Sequence, residues 1–293
     1  MDATTRSVSL DDGRVLEVRT SGPEDGIALV FHHGTPGSAT PLRALERAAQ
    51  ARGLRLVSFS RPGYGGSSRR SGRRIVDVVA DTAAVLEALG VERCLVAGWS
   101  GGGPHALACA ARLEQVSAAL VVAGVGPYGA DGLDFLAGMG EDNLVEFGAA
   151  LEGEERLRDH LVLAAAAMSQ STGSDVKAAL ESLLAEADRG VLTGEVADDL
   201  ASMFTEAVAG GVEGWLDDDL AFTAPWGFSL EEISCPTSIW QGEADLMVPL
   251  SHGRFLAGAV PGADVHLEAD EGHLSIVVGA VEAMLDHLLR AGT

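Results

Sequence analysis

Ser100 lies in the run Gly98-Trp99-Ser100-Gly101-Gly102, directly after the apolar stretch Arg93-Cys94-Leu95-Val96-Ala97. By spacing alone G-x-S-x-G is a weak signal. A chain of 293 residues with 37 glycines contains it by chance about 0.3 times. Its context is stronger, because a buried strand precedes it and a helical run follows. A strand-to-helix turn this tight strains the serine backbone, needs glycines where a side chain would strike neighbouring backbone, and projects the hydroxyl over the positive end of the helix. Such a hydroxyl attacks a carbonyl only if a base removes its proton, and the base needs an acid to orient it. In this arrangement acid and base follow the serine in that order, each after a later strand. Asp245, in Gly242-Glu243-Ala244-Asp245, and His273, in Glu271-Gly272-His273, occupy those places. Glu243 is the rival acid. His252 and His287 fall in helical stretches and His266 in a strand, and all three read as structural.

An acyl-transfer oxyanion needs preorganised N–H donors. Gly101, next to the serine, is one candidate. The other lies in His32-His33-Gly34-Thr35-Pro36-Gly37, where Thr35 is preferred and Gly34 comes next. Around these, Trp99, His33, His105, Phe135 and Trp215 are candidates for the substrate pocket.

The elements that must position these residues alternate. A hairpin is expected from Ser7–Leu10 and Arg14–Arg19, turning at Asp11-Asp12-Gly13. Strands follow at Ile27–His32, Leu54–Phe59, Val91–Ala97, Val116–Ala123, Thr237–Gln241 and Asp264–Leu267. Helices are expected at Pro41–Arg52 (with Thr40 as N-cap), Ile75–Leu89, Gly101–Leu113, Ser251–Val260 and Ser275–Arg290. The fold class is therefore α/β, with a mostly parallel sheet covered by helices on both faces.

Charge divides the chain. Residues 1–126 carry 12 acidic and 14 basic side chains, residues 127–222 carry 21 and 4, and residues 223–293 carry 10 and 2. The middle stretch is Ala- and Leu-rich with helical spacing, as an inserted helical domain would be, flanked by a core of residues 1–126 and 223–293. Its acids, including Asp217-Asp218-Asp219 and Glu154-Glu155, read as solvated helix surface. The overall charge of −23 argues against nucleic acid and anionic membrane as partners and leaves a small molecule. A homodimer is compatible with this composition. Cys94, Cys109 and Cys235 have neither the pairing of a disulfide framework nor thiolate-zinc spacing. No compact His/Cys/Asp cluster suggests a metal. The start, Met1 to Arg6, lacks the pattern of a signal peptide, and the expectation is a cytoplasmic protein.

His33-Gly34-Thr35-Pro36-Gly37, Arg61-Pro62-Gly63-Tyr64-Gly65-Gly66-Ser67, Gly98–Gly102, Gly242–Asp245 with Val248-Pro249, and Gly272-His273 together resemble the α/β-hydrolase superfamily. The likeness is to the branch with a helical cap that includes esterases and proline-iminopeptidase-like enzymes. It implies an eight-stranded core sheet, a cap inserted after the strand ending near Ala123, and serine hydrolysis without metal or organic cofactor. Many relatives have an acidic residue where this chain has Ser60-Arg61. Haloalkane dehalogenases and epoxide hydrolases share the fold but place Asp at the elbow, where this chain has Ser100. The expected reaction is hydrolysis of a small neutral carboxylic ester or lactone. The alternatives are an aminopeptidase whose cap carboxylate holds an α-ammonium, a ligand-binding protein, and a lyase or cyclase on the same scaffold.

Overall fold

The computed structural model describes residues 3–169 and 172–293. Met1 and Asp2, which open the segment read for a targeting signal, lie outside the described residues. The chain begins with β1 (Thr4–Ser9), β2 (Val15–Ser21), β3 (Ala28–His32), α1 (Arg43–Ala51) and β4 (Arg55–Phe59). Then come α2 (Val78–Ala88), β5 (Cys94–Trp99), α3 (Gly103–Arg112) and β6 (Val116–Val122). Among the described residues, six α-helices follow: α4 (Glu141–Glu152), α5 (Glu154–Met168), α6 (Gly173–Ala179), α7 (Glu186–Val191), α8 (Gly194–Val208) and α9 (Glu213–Phe222). The chain closes with β7 (Thr237–Gly242), α10 (Leu250–Ala259), β8 (Asp264–Glu268) and α11 (Ser275–Gly292).

The eight strands form one sheet in the order β1-β2-β4-β3-β5-β6-β7-β8. β1 and β2 pair antiparallel, β2 joins β4 antiparallel, and every later pairing is parallel. The central strands are buried from end to end because helices cover both faces. Successive residues divide between two cores. Val30, Val57, Val96 and Val121 pack with α2, α3 and α10, while Leu29, Leu56, Leu95 and Leu120 pack with α1 and α11. The second core continues into Val176, Leu200 and Met203 of the inserted helices, so one apolar interior joins them to the sheet.

The expected helix at Pro41–Arg52 starts later, at Arg43. Leu42 occupies its N-cap position without a side-chain cap, so Thr40 does not cap it. The carboxylate of Asp199 in α8 accepts the Arg43 N–H at 2.8 Å instead. Among the described residues no helix is long and apolar enough to cross a membrane.

Candidate active site

β5 ends at Trp99 and a single helical turn, Ser100–Gly102, leads into α3. Ser100 has φ 57°, a left-handed conformation that side-chain-bearing residues seldom adopt. Close approach explains the flanking glycines. A Cβ at Gly98 would strike the Gly102 carbonyl oxygen, and one at Gly102 would strike that of His32.

The loop after β7 carries Asp245, which is buried. Its Oδ1 accepts the N–H groups of Met247 and Val248, both at 2.8 Å. Its Oδ2 accepts Gln241 Nε2 at 3.0 Å and lies 2.8 Å from His273 Nδ1. An ionised carboxylate only accepts, so Nδ1 carries the proton and Nε2 is left basic. Burial opposes a charged His273, but the Asp245 carboxylate, helped by Asp188, outweighs it and holds the imidazole pKa above its ordinary value. The acid paired with His273 is Asp245 and not Glu243. Glu243 is exposed, and its cation partner is Arg254 at 3.9 Å.

Ser100, Gly101, Gly34, Thr35 and His273 all line one cavity of about 330 Å³. The two candidate oxyanion loops adjoin. A Cβ on Gly34 would stand 3.5 Å from Ser100 Cβ, and one on Gly101 would strike the Thr35 side chain. Trp99 and Trp215 line the same cavity, and the Trp99 ring centroid is 5.4 Å from that of His273.

His33, His105 and Phe135, expected along the pocket, are not among its lining residues. His33 braces the loop instead: Nδ1–H donates to the Gly34 carbonyl at 2.7 Å and Nε2 accepts the Arg61 N–H at 3.1 Å. His105 lies behind the elbow, with Nδ1 2.9 Å from the Gly101 carbonyl. Burial holds both imidazoles well below their ordinary pKa. Phe135 packs edge-on against Phe147, whose own ring does reach the cavity.

Asp217-Asp218-Asp219, expected as a solvated helix end, is instead buried, at 2%, 0% and 0% exposure. Asp217 forms a bidentate pair with Arg69, at 2.8 and 2.9 Å. Asp218 lies against Arg61 (2.6 Å), Arg73, the Tyr64 hydroxyl (2.9 Å) and the Thr35 hydroxyl (2.9 Å). Burial alone would raise its pKa, but the two guanidinium groups hold it well below the ordinary aspartate value. Arg61, itself fully buried, donates to the carbonyls of His33 and Gly34 as well. Arg61 is thus where the inserted helices grip the loop that carries Thr35.

A second grip comes from Asp188 of α7, which is 0% exposed. Its carboxylate accepts the backbone N–H groups of His273 (3.1 Å), Leu274 (2.8 Å) and Ser275 (2.9 Å). It therefore caps the start of α11 and holds the loop of the candidate base. Sequence reasoning missed Asp188, since nothing local ties residue 188 to residue 273.

Asp219 meets a third environment. It lines the cavity beside Glu146, and apart from the Glu146 carboxyl no group among the described residues donates to either of its oxygens. Glu146 receives the Trp215 indole N–H at 3.0 Å. Burial raises both acids, Glu146 to about 7, and Asp219 is raised further by the charges of Glu146 and Asp218. One proton held between the two carboxyls turns their repulsion into a hydrogen bond.

Residues 27–280 match the family model for the alpha/beta hydrolase fold. The chain belongs to that family. A non-heme chloroperoxidase from Streptomyces lividans is 34% identical over 124 residues, which are 41% of this chain and 45% of that protein. The chain thus spans less than half the length of that relative. A 2-hydroxy-6-oxononadienedioate/2-hydroxy-6-oxononatrienedioate hydrolase from Burkholderia vietnamiensis is 26% identical over 286 residues, 92% of this chain and 90% of that one. Among solved structures, an alpha/beta hydrolase fold protein from Nakamurella multipartita superposes with TM-score 0.68 at 26% identity, covering 99% of this chain and 100% of that one.

Proposed function

We propose that the protein hydrolyses a small neutral carboxylic ester or lactone through an acyl-enzyme on Ser100. The observation that carries this reading is the 2.8 Å contact between His273 and Asp245 at the cavity that Ser100 also lines. His273 Nε2 takes the Ser100 proton as Oγ attacks the carbonyl carbon. The backbone N–H groups of Thr35 and Gly101, or of Gly34 in place of Thr35, receive the charge that develops on oxygen. The imidazolium then protonates the departing alkoxide, and a water deprotonated by the same nitrogen releases the acid. Residues 127–222 act as a cap that sets specificity from above. The cavity lining includes no Lys or Arg among the described residues, while Asp142, Glu146 and Asp219 face it. That disfavours dicarboxylate substrates such as the one for which the Burkholderia relative is named.

Mass measurement after fluorophosphonate treatment tests the reading. One adduct on the wild type and none on Ser100→Ala supports it. No adduct on folded wild type overturns it in favour of ligand binding or lyase chemistry. With a turned-over ester, Ser100→Ala should cost about three or more orders of magnitude in kcat, and Asp245→Asn less.

The Glu146–Asp219 pair favours a second reading, in which the substrate bears an ammonium group that takes over the shared proton's role. Faster cleavage of free than of N-blocked aminoacyl amides supports this aminopeptidase-like alternative, and equal rates exclude it.

A further inference from the structure

We infer that Asp264, His266 and His287 form a binding site for a divalent transition-metal ion of the zinc type, away from the cavity. In sequence these residues are scattered and read as a strand end, a strand residue and a helix residue. The fold brings them together. Asp264 and His266 are two residues apart on the edge strand β8, and so share a face, while His287 reaches them from α11. One donor atom from each lies within 4.8 Å of the other two. His287 Nε2 is 2.7 Å and His266 Nε2 3.6 Å from Asp264 Oδ2.

Two observations point to a ligand rather than to a chance meeting of polar side chains. The His266 ring is stacked flat on Trp240, its register partner in β7, with centroids 3.8 Å apart and planes at 8°. Its orientation is therefore set before anything binds. Yet its Nε2 is buried and has no hydrogen-bond partner among the described residues. Leaving such a nitrogen unsatisfied costs about 1–3 kcal/mol. A metal ion would use that lone pair.

The chemistry of the donors selects the metal class. Two imidazole nitrogens and one carboxylate oxygen suit zinc, cobalt, nickel or copper, whereas calcium and magnesium favour all-oxygen sets. Ligand atoms around a tetrahedral zinc stand about 3.3 Å apart with bonds of about 2.0–2.1 Å, so small side-chain rotations suffice here. Asp264 is exposed and both histidines are partly so, which leaves an approach and a fourth position for water. Bound metal would cross-link the start of β8 to the later turns of α11, the two elements that flank the loop of His273. The ion sits at the opposite end of β8 from that loop, so the site acts on stability rather than on the reacting atoms.

The test is calorimetric titration of the full chain, stripped with a chelator, with zinc chloride, alongside thermal melts with and without zinc. Cobalt(II) absorption reports the coordination. The expected result is one zinc per chain, a zinc-dependent rise in Tm and a four-coordinate cobalt spectrum. His287→Gln and Asp264→Asn should each weaken binding by about 100-fold or more, since losing a group that merely orients a metal ligand already costs about 10–100-fold. Their metal-free melts report that they fold. A wild type that takes up no zinc overturns the inference, as does wild-type affinity and Tm shift retained in both variants.

Discussion

The inserted helices hold the two candidate catalytic loops with one buried carboxylate each, but by different means. Asp218 secures the Thr35 loop through cations, with Arg61 and Arg73 on its oxygens. Asp188 secures the His273 loop through backbone amides alone. The first arrangement requires a negative charge, because its partners are buried positive charges. The second requires acceptor geometry, because its partners are neutral dipoles. Asp219, next in sequence to Asp218, has neither kind of partner and remains proton-sharing at the cavity. Three aspartates at zero exposure thus do three different things, and burial by itself says little about a carboxyl group's role.

The contrast can be broken most directly at Asp218. Asp218→Asn leaves two buried guanidinium groups without their counter-charge and should cost about 3–5 kcal/mol in urea unfolding. A loss below that of Asp188→Asn would mean that Arg61 and Arg73 find other partners. Because the folded pKa of Asp218 lies below its ordinary value, its stabilisation is fully present above the ordinary aspartate range. It is lost as pH falls through the depressed folded value.

Asp188→Asn keeps one acceptor oxygen and should cost about 1–3 kcal/mol. It also removes a negative charge that helps keep His273 protonated. The acid limb of kcat/KM should therefore move to lower pH in this variant. In the wild type the limb should lie above the ordinary imidazole value, since the base must be neutral to work. An unmoved limb would show that Asp188 acts on the backbone only.

The smallest effect is expected at Asp219. At acid pH, where the raised pKa values keep the pair protonated, Asp219→Asn should change stability by no more than about 1 kcal/mol. The raised folded pKa values mean that the pair's stability contribution is full below the ordinary carboxyl range and is lost as pH rises through about 7. The Asn variant should flatten that loss, so its Tm at pH 8 should exceed that of the wild type. A parallel decline in both proteins would place the titrating pair elsewhere.

Much of the scaffold was legible in the residues themselves. Alternating apolar runs and helical stretches predicted the strands to within a few positions, since burial on both faces leaves few polar choices in β3, β5 and β6. Glycine spacing marked the elbow because sterics there exclude any side chain. Chain order and the ends of β7 and β8 singled out Asp245 and His273, which the fold joins at 2.8 Å. Other features depend on contacts distant in sequence, which no local pattern encodes. The helix-spaced run Asp217-Asp218-Asp219 has the composition of a solvated surface, and only the arrival of Arg61, Arg69 and Arg73 from more than 140 residues earlier makes it interior. Asp188 reaches His273 across 85 residues, and His287 reaches Asp264 from a neighbouring helix. A charge's solvation, and hence its protonation, is set by what surrounds it in space. The sequence therefore determined the sheet, the elbow and the order of the reactive groups, while tertiary structure alone decided which carboxyls are ionised, which histidines reach the cavity and which meet one another.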